Sequence, residues 1–406
     1  NKVVAQQMLA KLTENVFRIK HGLAHPAELE MKRPIEEHVD DFEKSLASRN
    51  NTKRYIRDTI KRIERCIEFC RWRKPAQIKA TDVERFLVDL RETNGCSIQT
   101  SNHYLRVLKG FCQWMYVNKR LIDNPLLALS MLNVRVDRRH DRRALTHDEL
   151  MRLIDAAETG PPVQGLLGPD RAMLYTLAAW TGFRKGELGS LTLRSFDLCD
   201  EEATNGSELS QRSGSYERQH GRCPTVTIEA GYSKHRRQDI QVLHPDLVVK
   251  LRKWLSEKKP QIDEILFPIS QAAGGVERTT AKMIRFDLEA ARMFWIAESR
   301  TANEENIRIV NANVLYRDEN GRFADFHGLR HTFITNLGRA GVSPKTAQSL
   351  ARHSDISLTM QIYTHVDQNE QIAAINALPS PEAKTNEEKE SESKTEKETE
   401  KPTEEK

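Results

Sequence analysis

The sequence predicts a mainly α-helical protein with a small antiparallel β-sheet in its C-terminal half. Over most of the chain, apolar residues recur at steps of three and four, which is the spacing of one helix face. In the second half, two short β-like segments flank a basic turn, as in a β-hairpin. At about 100–200 residues per domain, the 406 residues suggest two to three domains.

The first 129 residues are predicted to be helical. Residues 1–33 contain one amphipathic helix, whose apolar face comprises Val4, Met8, Leu12, Val16 and Ile19. A compact helical unit follows over residues 34–129. Its predicted helices cover residues 35–49, 52–71, 81–93 and 98–118, and a short further helix follows Pro125.

A basic linker, residues 130–143, separates this unit from a second domain. It lacks apolar periodicity and contains Arg135, Arg138, Arg139, Arg142 and Arg143. The second domain, residues 144–378, opens at a helix start, because Thr146 as N-cap and Glu149 three residues later form a capping box. Further helices are predicted over residues 148–158 and 170–182, near residue 185, and from residue 246 to the C-terminal region.

The β-structure is predicted inside this second domain. Strands are expected at residues 191–198, 225–230 and 238–243, and the last two form a hairpin with Lys234 at its basic tip. Residues 201–220 are expected to form a polar surface insertion. Residues 379–406 contain ten Glu and six Lys and too few apolar residues to fold alone, so we expect a disordered charged tail.

Composition excludes several classes of protein. A hydrophobic content of 38% excludes a wholly disordered chain. The sequence contains no run of about 18 apolar residues, so no transmembrane helix is predicted. No secretory signal is visible at the N-terminus. Six cysteines without a CxxC pair argue against a disulfide scaffold or a zinc ribbon and favour a reducing cytosol. The net charge of +5, with an acidic tail, indicates a basic body that suits either a polyanionic partner or an ordinary solvated surface.

Four short segments carry chemistry-bearing residues. They are TGFRKGEL (181–188), Lys234 in the hairpin, HGLRH (327–331), and ARHSD (351–355) followed by QIYTHV (361–366). Singly they are weak: with 13 histidines, an HxxR pair is expected by chance roughly once. Arg184 alone suits a surface salt bridge, His353 a helix cap, and Tyr363 half-buried packing.

In this order, the segments resemble the tyrosine recombinase (phage integrase) family. The resemblance covers residues 144–377, and residues 34–129 are more loosely similar to the helical core-binding (SAM-like) domain of these enzymes. It implies a two-domain DNA clamp in which an α+β catalytic domain follows the helical domain. The implied catalytic residues are Arg184, Lys234, His327, Arg330, His353 and Tyr363, with Glu187 in a supporting position.

The reaction that the resemblance implies explains these residue types. Arg184 and Arg330 would hold the scissile phosphate, since a guanidinium binds two oxygens at once. Tyr363 would attack it and form a 3′-phosphotyrosine intermediate without ATP. Glu187 suits the orientation of Arg184, although it would equally fit an ordinary surface carboxylate.

Three residues would assist this reaction. His353 would add a hydrogen bond to the phosphate, His327 would accept the tyrosine proton, and Lys234 would protonate the departing 5′ oxygen. No metal and no cofactor are expected, because fixed cations would stabilise the transition state.

Double-stranded DNA is therefore the expected partner. The five linker arginines could track phosphates, as could Asn102, Arg106 and Lys109 on one helix face, which would also suit a merely solvated surface. The resemblance implies a homotetramer on two DNA sites that is monomeric when free, assisted by directionality or DNA-bending proteins. The expected location is the prokaryotic cytoplasm, associated with the nucleoid and away from membranes.

Three further classes of protein fit part of the sequence. A type IB topoisomerase resembles the same catalytic set, but the preceding helical domain and an apolar segment after Tyr363 favour a recombinase. A non-catalytic DNA-binding protein derived from an integrase would have no need of the intact residue set. A generic basic helical adaptor would explain the charge but not the order of the motifs. Residues 1–33 could be the last helix of an arm-binding domain.

Overall fold

The computed structural model describes residues 2–21, 27–198, 223–232, 237–271, 275–363 and 375–376. The predicted insertion at residues 201–220 and the predicted tail at residues 379–406 lie outside these ranges. The chain divides into two compact units, Asn1–Arg139 and His140–Lys406. The predicted fold class is confirmed, since helices dominate both units and the second unit contains a small antiparallel sheet.

In the described part of the first unit, all regular secondary structure is helical. Its α-helices are α1 (Lys2–Lys20), α2 (Ala27–Glu30), α3 (Ile35–Ser48), α4 (Lys53–Cys70), α5 (Ala80–Glu92) and α6 (Ile98–Val117). Single 3₁₀ turns occupy Pro75–Gln77 and Val134–Val136. Helices α4 and α6 start where the hydroxyls of Thr52 and Ser97 accept N–H groups of their first turns. Helices α3 to α6 bury a shared apolar core that includes Phe42, Phe86 and Phe111.

The second unit surrounds a buried central helix. Its helices are α7 (His147–Thr159), α8 (Gly168–Thr181), α9 (Lys185–Leu188), α10 (Pro245–Lys258), α11 (Thr280–Ala297), α12 (Ala302–Val310), α13 (Gly328–Arg339), α14 (Pro344–Leu350) and α15 (Ile356–Tyr363). Helix α8 is buried along almost its whole length and packs against α7, α10 and α13. Because these helices pack around α8, its C-terminal end has a defined position, and it positions the residues that follow.

The sheet has three short strands, β1 (Phe196–Asp197), β2 (Thr225–Ile228) and β3 (Asp239–Val242), in that order. Strands β2 and β3 pair antiparallel with Val226 opposite Gln241, which confirms the predicted pairing. Residues 233–236, including Lys234, lie outside the described residues. Strand β2 alternates half-buried and buried residues, so one face of the sheet packs on the core.

Two predicted elements are wrong. The segment over residues 191–198 is mostly not a strand: a 3₁₀ turn at Leu193–Ser195 precedes the two-residue β1, because Ser195 Oγ accepts the Thr192 N–H and closes a turn. The short helix predicted directly after Pro125 is not formed. The chain there turns, and the Asn124 side chain accepts the N–H of Leu126, which is fully buried.

The predicted start of α7 is confirmed. Thr146 and Glu149 form the capping box at the start of α7, with Thr146 Oγ1 accepting the Glu149 N–H and Glu149 Oε2 accepting the Thr146 N–H. Among the described residues, no helix is both long and apolar enough to cross a bilayer.

Candidate active site

Arg184 lies in the turn between α8 and α9, where Glu187 fixes it. Helix α8 ends at Gly182, whose φ of 64° is left-handed. A Cβ there would lie 2.5 Å from Cδ1 of Phe333, so this turn requires glycine. The buried Glu187 accepts the Arg184 N–H at 2.8 Å and its Nη1 at 2.7 Å. The Arg184 side chain is 24% exposed, so its guanidinium is both anchored and accessible.

Arg330 lies in the first turn of α13 and is almost fully buried. Its Nη1 donates to the carbonyl of Gly182, and its Nη2 donates to the carbonyl of Ala351. Burial, followed by the charges of Arg184 and Arg352, lowers the pKa of Arg330 to about 9. The guanidinium is therefore still protonated at pH 7, and it joins the end of α8 to the segment that carries His353.

A third arginine, Arg352, belongs to the same cluster, although the sequence did not predict it as a site residue. Its Nη2 donates to Oε2 of Glu187 at 3.3 Å, and its backbone carbonyl accepts from Nη2 of Arg184 at 3.4 Å. The only signal in the sequence was its place within ARHSD. In a sequence, an arginine beside a motif residue cannot be assigned to the solvent-exposed surface or to the interior.

His353 is half-buried, and Thr359 orients its ring. The Nδ1 atom of His353 lies 2.9 Å from Oγ1 of Thr359, a fully buried residue of α15. If the hydroxyl donates, the ring proton is on Nε2, which can then donate to a substrate. Burial, then the charges of Arg330 and Arg184, lowers the pKa of His353 to about 4. The ring is therefore neutral at pH 7 and offers one N–H group.

His327 precedes α13, and its carbonyl accepts the Arg330 N–H at 3.1 Å. The residue is exposed, yet neighbouring protein desolvates its ring. This desolvation, and then the charge of Arg142, holds the pKa of His327 far below its ordinary value of 6.5. His327 is thus neutral at pH 7 and can accept a proton from a substrate or a nucleophile.

Asp325, two residues before His327, binds two basic residues, His140 and Arg142. It accepts from His140 Nε2 at 2.9 Å and from Arg142 Nε at 2.9 and 3.0 Å, and it also accepts the Gly328 N–H. Burial alone would raise the pKa of Asp325, but the hydrogen bond from His140 and the charge of Arg142 outweigh it and lower the pKa. Asp325 is therefore an ionised anchor at the start of α13, and no motif in the sequence pointed to it.

The remaining catalytic candidates are only partly described. Tyr363 is the last residue of α15, four residues after Thr359, but its side chain lies outside the described part of the structure. Lys234 lies outside it entirely. Of the candidate catalytic set, the structure therefore brings together Arg184, Arg330, His327 and His353, and Glu187 binds Arg184.

The three DNA-binding candidates on α6 make contacts within the first unit. Asn102 is buried and exchanges two hydrogen bonds with the backbone of Leu132, at 2.8 and 3.0 Å. Lys109 donates to the carbonyls of Leu127 and Leu129. Arg106 is exposed and contacts His103 and Met131. In this structure, Asn102 and Lys109 hold the segment after α6 against that helix.

The linker arginines fall into two groups. Arg135 and Arg138 are exposed, as is Arg139, which binds Asp137 and the carbonyls of Gly95 and Cys96. Arg142 binds Asp325. Arg143 is only 10% exposed, and its guanidinium donates to both oxygens of Glu149 at 2.8 Å. Arg142 and Arg143 therefore anchor the start of the second unit.

The cluster is suited to bind and polarise a phosphate diester. Arg184 and Arg352 bind a single carboxylate, Glu187, and Arg330 lies near enough to both arginines and to Glu187 for their charges to act on it, so the cluster retains positive charge that an anion can compensate. Two neutral histidines stand beside it as a donor and an acceptor. Among the described residues, no group of three or more His, Cys, Asp and Glu could hold a metal ion.

Comparison with known proteins identifies family domains in both units. The profile of the phage integrase family matches residues 143–370. The profile of the phage integrase N-terminal SAM-like domain matches residues 39–120. The first match alone spans more than half of the chain, and it includes every catalytic candidate.

Individual relatives are distant but cover most of the chain. The transposase of transposon Tn916 from Enterococcus faecalis is 22% identical over 356 residues, which are 85% of this chain and 75% of the relative. The tyrosine recombinase XerC of Bacillus subtilis is 26% identical over 289 residues, 70% of this chain and 76% of the relative.

Two solved structures share the fold. The Tn1549 transposon integrase in complex with a circular intermediate DNA has a TM-score of 0.53 at 17% identity, covering 86% of this chain and all of that chain. A lambda integrase dimer bound to a core site has a TM-score of 0.53 at 16% identity, covering 88% and 87%.

Proposed function

The chain belongs to the phage integrase family, and from this premise we propose that it is a tyrosine-type site-specific DNA recombinase that integrates and excises a mobile element. The observation that carries the proposal is the arginine cluster built on Glu187, with His353 beside it and Tyr363 at the end of the helix that contains Thr359. Relatives that are transposases and tyrosine recombinases support the same activity. DNA relaxation and non-catalytic DNA binding receive no support from them.

In the proposed reaction, Arg184 and Arg330 bind the nonbridging oxygens of the scissile phosphate. Both guanidiniums are fixed before substrate arrives, so they stabilise the developing charge without reorganisation. His353, neutral and held by Thr359, donates from Nε2 to the same phosphate.

The phenol oxygen of Tyr363 bonds to phosphorus as the bond to the 5′ oxygen breaks. His327 accepts the phenol proton, and Lys234 gives a proton to the departing 5′ oxygen. The phosphotyrosine bond conserves the energy of the phosphodiester, so rejoining to a new strand requires no ATP. The proposal needs no cofactor.

We propose the following domain roles and assembly. Residues 34–129 form the core-binding domain, residues 130–143 the basic linker and residues 144–378 the catalytic domain; residues 1–33 and 379–406 lie outside the catalytic apparatus. The protein is monomeric when free and forms a homotetramer on two duplex sites, with accessory proteins that bend DNA or set direction. Its place of action is the prokaryotic nucleoid.

The test uses duplex DNA from both flanks of the encoding gene, nicked beside each candidate cleavage position. The protein and its Tyr363→Phe variant are incubated with this DNA in EDTA and run on a denaturing gel. A protein–DNA adduct with the parent only, at equal binding by both proteins, supports the proposal. An undiminished adduct with Tyr363→Phe would refute the nucleophile, and binding without an adduct on any flank would refute catalysis.

A further inference from the structure

Arg352 occupies a backbone conformation that disfavours an arginine. Its φ of 51° lies in the left-handed region, which side chains other than glycine adopt only at a conformational cost. The residue is also buried at 7% exposure, and burying a guanidinium costs solvation energy. Two separate costs at one position indicate that the contacts of this side chain compensate for them.

Those contacts join three elements that are distant in the sequence. The guanidinium donates to Oε1 of Gln241 on strand β3, to Oε2 of Glu187 on α9 and to the carbonyl of Gly182 after α8. It also packs over the ring of Phe183, 4.4 Å from the centroid. Arg352 therefore connects the sheet directly to the carboxylate that orients Arg184.

Gln241 makes the second half of this connection. It is buried at 7% exposure, and its Nε2 donates to the carbonyl of Thr181, the last residue of α8, at 3.2 Å. The side chain uses its acceptor for Arg352 and a donor for α8, so strand β3 is held at the arginine cluster by two buried polar contacts.

We propose that Arg352 and Gln241 are a positioning pair that fixes strand β3 relative to the phosphate-binding arginines. The inference rests on the proposed function, in which Lys234, seven residues before Gln241, protonates the departing 5′ oxygen. The pair acts through the strand: it fixes the position of Asp239–Val242, the described strand that follows Lys234 in the sequence. Neither residue is a proton donor in the reaction.

This role has a chemical signature that a general loss of folding lacks. If the 5′ oxygen is replaced by sulfur, the bond from phosphorus to the leaving atom breaks, and its electron pair leaves as a thiolate. A thiol has a pKa of about 8.5, far below that of an alcohol, so the leaving group needs no general acid. Variants that impair only the acid step recover on the sulfur substrate.

The experiment measures single-turnover cleavage of the mapped site with either bridging oxygen or bridging sulfur. Arg352→Met and Gln241→Met are compared with Lys234→Ala, which removes the acid, and with Arg184→Lys, which alters a phosphate contact. On oxygen we expect both pair variants to be about 100-fold slower, the effect of a displacement of about 1 Å. On the substrate with bridging sulfur, we expect both pair variants to cleave at rates within about threefold of the parent rate. The general-acid contribution that these variants impair is not needed there.

The outcomes separate the inference from the proposed function. Recovery of Lys234→Ala together with both pair variants supports the positioning role. Recovery of Lys234→Ala alone, with the pair variants equally slow on both substrates, overturns that role and leaves the general acid standing. Failure of Lys234→Ala to recover overturns the acid assignment, and the positioning role with it. If Arg352→Met fails to fold, Gln241→Met, which leaves every charge in place, decides the question.

Discussion

Thr359 is the residue on which the orientation of His353 depends. Its hydroxyl is buried 2.9 Å from Nδ1, and no other contact to that ring nitrogen is present among the described residues. We expect Thr359→Val to slow adduct formation about tenfold, the effect of about 1.4 kcal/mol in the transition state, because the tautomer is no longer fixed. Thr359→Ser, which keeps the hydroxyl, is the matched control. Equal single-turnover rates for the valine variant and the parent would contradict this assignment.

The low pKa of His327 predicts the acid side of the pH–rate profile. Desolvation and the charge of Arg142 favour the neutral ring, so His327 stays competent as a base well below pH 6.5. Removing a cation favours the protonated ring, so Arg142→Gln raises the pKa and moves the acid limb to higher pH. His140→Gln removes another partner of Asp325 but leaves Arg142 in place, and it serves as the control. Adduct formation rates between pH 4.5 and 8 test this, and an acid limb that does not move would refute it.

The sequence predicted the residues to which we assign chemical roles and one residue that orients them, Glu187, and it missed the other orienting residues. Arg184, Arg330 and His353 stand in recognisable motifs, and the structure places them together. Thr359 orients His353 from six residues away, whereas Arg352, Gln241 and Asp325 act through contacts with chain segments 60 to 185 residues away. No local pattern records such a contact. A buried arginine and a solvated arginine differ only in what the rest of the fold places beside them.

At the scale of elements, an ion pair at the centre of the second unit fixes α8 against α11. Arg171 and Asp287 are fully buried and share two hydrogen bonds of 2.9 and 2.8 Å, and Tyr175 adds a third at 2.7 Å. Removing one partner leaves the other charge buried, which costs about 3–5 kcal/mol. We expect Asp287→Asn to lose that much stability in the second unit.

Hydrogen–deuterium exchange of peptides from α8 and α11 in the full chain measures this loss as a lower opening free energy. Asp148→Asn, which removes a partner of the partly exposed Arg152, is the matched control and should change it by less than about 1 kcal/mol. If both variants have the same effect, the buried pair is not a stability determinant.

Elements were predictable where a local signal dominates. The α7 capping box and the pairing of β2 with β3 follow from residues adjacent in sequence, and both predictions are confirmed. The predicted strand over residues 191–198 is wrong because apolar alternation also fits a chain that turns, with Leu191 packed into the core. The predicted helix after Pro125 is wrong for a similar reason: Leu126 fills the core from turns closed by single i→i+3 hydrogen bonds, which do not continue into a helix.

At the scale of the molecule, the basic segment between the units is not a uniform tether. The division between the units falls after Arg139, which is bound to Gly95 and Cys96 of the first unit. His140 and Arg142 are bound to Asp325 of the second unit. From the sequence alone, the five linker arginines could not be distinguished from one another. The structure separates Arg142 and Arg143, which bind the buried carboxylates of Asp325 and Glu149, from Arg135, Arg138 and Arg139, which are exposed.

This separation predicts which arginines contribute to DNA affinity. Each phosphate contact releases counterions, so its loss lowers the dependence of log K on log salt by about one. We expect the double variant Arg135→Gln/Arg138→Gln to bind all duplexes more weakly and with a shallower salt slope. Arg143→Gln is the control. In the parent protein the Arg143 guanidinium is bound to Glu149, so this variant should have a less stable second unit but the same salt slope. Binding titrations from about 50 to 200 mM salt, on the mapped site and on unrelated duplex, distinguish the cases. A loss confined to the mapped site would instead mean that these arginines read bases, and an unchanged slope would mean that they do not contact the backbone.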